Sequence, residues 1–436
     1  MINPILVATL GLAGMSLLIV LQVPIGIAMA VTGFVGFGFL SGWGPAITLL
    51  STESIAVMTN PDLAVIPLFI LMGTFASFAG LSEDLFNVAY AFLGHRRGGL
   101  AFTTVGACGL FGSICGSSPA AVATFAGTAF PQMIKRKYSP SFASGCVAAG
   151  GTLSAMVPPS IVMVIYAVMT EQFIITIFIA AIIPAIMQIT MYFLAIAGYT
   201  RFDPYAAPPG ERLSWQDGLR TIRRSWASLT IMVAVFGGIY TGVFTVNEAA
   251  AVGAGLALFI CLGRRKLTPK AFMDALNQTA VTTAMIYIII IGANVFIYFL
   301  TVTQMPKTLV TTLSSWEVPK VVTIGAMLIL YIILGAIFDE LAAMLATLPL
   351  VLPLVIDMGY SPVWWGIINV VVIEIGMLAP PIGMNVFVLY GVLGGKVPLK
   401  DIYRGVMPFL FADLVRLALL LFFPVLCTWL PSVMKG

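Results

Sequence analysis

The sequence predicts an all-α polytopic membrane protein built from two copies of one unit, the second inverted relative to the first. Three observations carry this. The 436 residues are 60% hydrophobic and only 9% charged, with a mean hydropathy of +1.07. A soluble chain carries roughly 25% charged residues, so this one cannot cover a water-facing surface. Tyr138-Ser139-Pro140 recurs as Tyr360-Ser361-Pro362, and Pro158-Pro159 as Pro380-Pro381. Both pairs are offset by 222 (360 − 138 and 380 − 158), as are Pro131 and Pro353. Each copy thus sets a double proline inside an apolar run, where proline removes a backbone donor and breaks a helix. Lipid tolerates such breaks only where the freed groups line a cavity or bind something, and matched breaks in two halves point to a transport site.

At about 20 residues per span the chain has room for roughly 10–14 membrane passes. No Lys or Arg precedes Arg96, so the first apolar segment is expected to stay as a helix rather than serve as a cleaved signal peptide. The net charge of +4 sits in a few loops and reports orientation, not nucleic-acid binding. The five cysteines form no C-x-x-C pair, so no disulfide or metal framework is indicated. His95, between Gly94 and Arg96, reads as a solvated loop residue.

In chain order, residues 1–200 form the first repeat, with a helical hairpin near 102–131 and a broken helix near 142–168. A linker over 201–225 follows, holding Arg201, Arg212, Arg220, Arg223 and Arg224 with Pro204, Pro208 and Pro209. Residues 226–436 form the second repeat, with a hairpin near 325–356 and a broken helix near 363–391. Segments 82–93 and 304–316 read as amphipathic connectors at the membrane surface. Thr245 with Glu248 reads as a helix start with an acid in the first turn.

Charge sets the relative orientation of the copies. Lys135-Arg136-Lys137 aligns with Asp357-Met358-Gly359, which has no cation, whereas Lys396, Lys400 and Arg404 align with a stretch after Thr170 that has none. Cytoplasmic loops collect Lys and Arg, so equivalent loops face opposite sides. The loops at 96–97, 135–137, 201–224, 264–270 and 396–404 are expected in the cytoplasm.

Four segments are candidates for binding. Gly112-Ser113-Ile114-Cys115-Gly116-Ser117-Ser118-Pro119 lies mid-way through an apolar run. Glycine there permits a sharp turn, and Pro119 suits the first turn of a new helix, so the segment predicts a re-entrant hairpin with exposed amides and hydroxyls. A small-residue packing face is the alternative. Gly150-Gly151-Thr152 leading to Pro158-Pro159-Ser160 predicts an unwound helix, with a plain kink as the alternative; Thr152, Ser154 and Ser160 supply oxygens. In the second copy, Gly335 to Glu340 align with the first tip, and Glu374-Ile375-Gly376 precedes Pro380-Pro381, with Asn385 beyond. Intramembrane carboxylates are costly and functional by default; Asp339, Glu340 and Glu374 carry either ion coupling or a structural charge. None of the four segments holds a basic residue. An anion would be held by helix N-termini, hydroxyls and a bound cation, which makes cation and anion binding mutually dependent.

These residues resemble the large membrane subunit of tripartite ATP-independent periplasmic (TRAP) transporters. The stretches that carry the resemblance are 66–73, 112–120, 157–161, 240–249 and 378–383; they lie in order along nearly the whole chain. The loop before Glu248 departs from it, reading Val246-Asn247 where Pro-Thr is common. The resemblance implies an inverted-repeat, elevator-type transporter with two re-entrant hairpins in a bacterial or archaeal cytoplasmic membrane. It implies a periplasmic substrate-binding protein, a small four-helix membrane subunit as a separate chain, a carboxylate substrate, and sodium as coupling ion without covalent cofactors. Substrate contacts are then expected at Ser113, Gly116, Ser118, Thr152, Pro158, Pro159, Pro380, Pro381 and Asn385, and sodium at Ser117, Gly151, Gly335, Asp339 and Gly376. A stand-alone ion-coupled anion exchanger of a related fold is the alternative. An intramembrane enzyme is a third reading, opposed by the absence of His-Glu-x-x-His and of a membrane Asp-x-x-Asp.

Overall fold

The repeated Tyr-Ser-Pro is a helix start. In the computed structural model, which describes residues 4–210, 214–315 and 319–434, Ser139 Oγ accepts from Phe142 N at 3.2 Å and Ser361 Oγ from Val363 N at 3.2 Å. Pro140 and Pro362 occupy the first helical position, where the missing N–H costs nothing. Arg212 and Trp316 lie outside the described residues.

The described chain is helical. The first repeat runs α1 (Pro4–Val20), α2 (Ile25–Ser41), α3 (Trp43–Thr59), a 3-10 turn leading into α4 (Val65–Ala79), α5 (Leu81–Leu93), α6 (Gly99–Cys115), α7 (Ser118–Lys135), α8 (Pro140–Met156), α9 (Ile161–Met169) and α10 (Ile174–Phe202). The linker contributes α11 (Trp215–Arg224). The second repeat runs α12 (Trp226–Met232), a π-helical stretch, α13 (Gly238–Tyr240), α14 (Val246–Gly263), α15 (Pro269–Val302), α16 (Met305–Ser315), α17 (Lys320–Ile337), α18 (Glu340–Asp357), α19 (Pro362–Leu378), α20 (Met384–Val392), α21 (Leu399–Phe422) and α22 (Val425–Met434). Adding 222 to the bounds of α7 and α8 reproduces those of α18 and α19. Among the described residues, eight helices are long and apolar enough to cross a membrane. Thr245 and Glu248 form a reciprocal capping box at the start of α14, as the first-turn acid suggested.

Packing follows a two-fold exchange. Helix α2 lies along α15 while its counterpart α14 lies along α4; α8 packs on α21 while α19 packs on α10. The first set, with α3, forms a scaffold. The hairpins α6–α7 and α17–α18 pack on α8 and α19 to form a second body, and α5 and α16 connect the two. Close helix approach rests on glycine: a Cβ on Gly145 would overlap the Gly405 backbone.

The hairpins enter from opposite ends. Tyr138, at the start of α8, accepts a hydrogen bond from Leu100 N at the base of hairpin α6–α7. At the far end of the 30-residue broken span Pro140–Met169, the Tyr166 hydroxyl donates to Pro362 O at 2.6 Å, at the base of hairpin α17–α18. The length of that span separates the two bases. The basic loops gather at the first base: Arg136 bonds Tyr90, Arg264 Nη2 meets Asp84 Oδ2 at 2.5 Å, and Ser141 Oγ donates to Asp401 O at 2.6 Å. The linker joins them there, with Ala206 and Ala207 carbonyls accepting from Ser139 N and Gly98 N.

Candidate functional site

The two tips differ chemically. At tip one, Gly116 turns the chain with φ +64°, the left-handed region that glycine enters freely. Ser117 is extended and starts α7 without a side-chain cap bond, so the Ser118 and Ala120 amides have no internal acceptor, Pro119 between them having no N–H. At tip two, Asp339 Oδ1 accepts from Leu341 N and Ala342 N, both at 2.9 Å; two of the three leading amides of that helix are filled. Glu340 follows, only 9% exposed, with Oε2 unpartnered.

Both tips border one cavity of about 480 Å³, within the size range of small-molecule sites. Gly116, Ser117, Asp339 and Glu340 line one side. Thr74 and Ser77 of α4 and Gln278 and Thr282 of α15 line the scaffold side. Among the described lining residues, Asp339 and Glu340 alone are charged. The cavity runs along α4 to Ser77 and along α7 to Thr124, toward the base of hairpin α6–α7.

The structure brings Gly116, Ser117 and Asp339 of the expected residues to this cavity. Ser118 sits just behind, fully buried with Oγ unpartnered, and Ser154 and Ser160 Oγ are likewise buried and unpartnered. Packing places all three around tip one: Gly112 lies against Ser154, Gly151 against the Ser118 carbonyl, and Gly116 against Pro159 O and Ile161 N. Ser113 donates to Leu110 O at 2.6 Å within its own helix. Gly335 and Gly376 face each other where α17 crosses α19.

The double prolines do not line the cavity. The Pro158–Pro159 break is buried behind tip one, and the Pro380–Pro381 break is exposed, with Tyr403 Oη donating to Pro381 O at 2.9 Å. Gly383 N donates to Ala336 O at 2.9 Å, which ties the second break to the end of α17. The breaks brace the tips from behind. Asn385 is buried and donates to Ala148 O at 3.4 Å.

Thr152 belongs to a second, fully buried polar cluster. Its Oγ1 lies 3.0 Å from Tyr192 Oη and accepts from Gln188 Nε2 at 3.0 Å. Tyr192 donates to Asp413 Oδ2 at 2.5 Å. Arg416 Nη2 meets Glu374 Oε2 at 2.9 Å and Asp413 Oδ1 at 3.0 Å, with these side chains 0–1% exposed. The cluster joins α8, α10, α19 and α21. Sequence reading missed Asp413 and Arg416, although an i,i+3 ion pair inside an apolar helix is itself a signal.

An internally duplicated helical membrane protein whose opposed hairpin tips meet at a polar cavity against a separate scaffold has the architecture of a transporter. Comparison with known proteins fixes the family. Residues 12–426 match the family described as the tripartite ATP-independent periplasmic transporter, DctM component. A C4-dicarboxylate TRAP transporter large permease protein of Pseudomonas aeruginosa is 34% identical over 402 residues, covering 90% of this chain and 93% of the relative. An ectoine/5-hydroxyectoine TRAP transporter large permease protein of Ruegeria pomeroyi is 30% identical over 417 residues, covering 95% and 96%. The crystal structure of the Alcanivorax borkumensis YdaH transporter aligns with a TM-score of 0.54 at 16% identity, covering 89% of this chain and 88% of that one; that likeness is of fold alone. The chain belongs to the DctM family of TRAP transporter large permeases. It is a multi-pass membrane transporter and not an enzyme.

Proposed function

We propose that this chain carries a small carboxylate substrate into a bacterial or archaeal cell by sodium symport, receiving it from a periplasmic binding protein and working with a small four-helix membrane subunit. The observation that carries the reading is the cavity between both hairpin tips and the scaffold. The basic loops gathered at the base of hairpin α6–α7 put that end in the cytoplasm, so the cavity described here faces inward. The hairpin body slides against the scaffold on the connectors α5 and α16 and exposes the tips to either side in turn.

Sodium is proposed at both tips. At tip one the buried oxygens of Ser118, Ser154 and Ser160 have no partner, and hydroxyls and carbonyls near Ser117 and Gly151 suit a hard monovalent ion. At tip two Asp339, with carbonyls near Gly335 and Gly376, supplies a charged ligand. The substrates in the relatives' names, C4-dicarboxylates and ectoine, are all small organic acids. The test is uptake into vesicles holding the purified membrane complex, followed by mass spectrometry of a metabolite mixture. Uptake that needs both a sodium gradient and the binding protein supports the proposal. Uptake without the binding protein favours the stand-alone exchanger, and loss of sodium dependence in neither Ser117→Ala nor Asp339→Asn removes the cation sites.

A further inference from the structure

We propose that the substrate is a zwitterion, a small molecule whose carboxylate docks on the start of α7 and whose ammonium or amidinium group pairs with Glu340. The proposal rests on the reading above that the cavity between the tips is the transport site.

Two independent features of the cavity carry it. The first is the unlike filling of the two helix starts. Helix α7 opens with Ser117, whose side chain makes no cap bond, so the Ser118 and Ala120 amides (Pro119 has none) and the positive end of the helix dipole are free for an anion. Helix α18 opens with Asp339, which takes the amides of Leu341 and Ala342. Only the Glu340 amide is left there, flanked by two carboxyl groups. The tips therefore offer one positive and one negative pole.

The second feature is Glu340. It lines the cavity, is 9% exposed, and its Oε2 makes no close hydrogen bond, the nearby Ser118 hydroxyl being its polar neighbour from tip one. A buried carboxyl without a cationic partner is costly to ionise, and no Lys, Arg or His is among the described lining residues to favour its charged form. Sodium at Asp339 supplies no partner for Glu340. A substrate with a second carboxylate brings no positive charge to offset the cost of ionising Glu340. A substrate cation at the same place forms a charge-assisted hydrogen bond in a site shielded from water.

Thermal unfolding of the purified membrane complex tests this with matched probes at equal concentration in sodium chloride: 4-aminobutyrate against butyrate, β-alanine against propionate, proline against cyclopentanecarboxylate, and succinate. At least one zwitterion raises the unfolding midpoint, and its partner lacking the amine does not. Glu340→Gln weakens that zwitterion about tenfold or more and lessens the discrimination against the plain acid, each shift being measured from the variant's own midpoint in sodium chloride without probe. Glu340→Asp keeps part of the preference. Stabilisation by succinate or by a plain acid equal to that by any zwitterion overturns the proposal, as does an unchanged preference in Glu340→Gln. Sodium-dependent binding of succinate with no response to any zwitterion keeps the transport reading and overturns this one. Indifference to sodium and to every probe overturns both.

Discussion

Replacing Arg416 by Met is the most severe single test of the buried cluster. Arg416 holds two carboxylates at 2.9 and 3.0 Å, and all three side chains are 0–1% exposed. At 3 Å and an effective dielectric of about 20, each pair is worth roughly 5 kcal/mol before desolvation. Much of that offsets the cost of burying the charges, and removing one partner of such a pair costs about 3–5 kcal/mol, because the remaining charge is left uncompensated. Two carboxylates are stranded here, so Arg416→Met is expected at the upper end of that range. Methionine fills much of the same volume, which keeps cavity formation out of the comparison. The triple variant Arg416→Met, Glu374→Gln, Asp413→Asn removes the charges together and is expected to recover most of the loss. Unfolding in mixed micelles titrated with SDS gives both values. A single-variant loss under about 1 kcal/mol, or a triple variant no more stable than the single one, would refute the argument that charge compensation holds α19 and α21 together.

Other perturbations follow the same logic. Gly405→Val places side-chain atoms against the Ser141 carbonyl, and overpacking at such a crossing costs about 1–3 kcal/mol or more; the yield of monodisperse protein in size-exclusion chromatography should fall sharply. Asp339→Ala removes the cap of α18, a loss of about 1 kcal/mol, and also the midpoint shift that sodium produces in the wild type. Tyr138→Phe leaves Leu100 N without its acceptor and frees Pro208 O; a loss of about 1–3 kcal/mol is expected, with faster proteolysis of the linker as the readout.

Much of this architecture is legible in the residues because proline and glycine act locally. Tyr-Ser-Pro announces a capped helix start, Gly116 a reversal, and the double prolines an interruption, whatever surrounds them. The 222-residue offset then places the second copy with helix bounds that match to the residue at α7 and α18. What lies between helices is less legible. Thr152 was expected at the substrate, yet its neighbours α10 and α21 arrive from far along the chain and draw it into the Arg416 cluster. The double prolines were expected to touch substrate, but a broken helix frees backbone groups on whichever side its neighbours leave open, and here the hairpin tips cover the inner side of the first. Asp413 and Arg416 lie beyond the four segments read as candidates for binding and so were missed. The unequal filling of the two tips was also invisible, since nothing in the order Phe338-Asp339-Glu340 says which of the two cavity carboxyls caps the helix and which is left without a close hydrogen bond.

Impermeant-maleimide labelling of Arg136→Cys and Met358→Cys, one at each hairpin base and each in a background whose native cysteines are replaced, is the most direct measurement. In intact cells the Met358→Cys variant should react from outside, while the Arg136→Cys variant should react only after the membrane is opened. Equal labelling of the two positions from one face would mean that the hairpins do not approach each other across the bilayer, and a single cavity shared by their tips could not then be the place where the cargo is held.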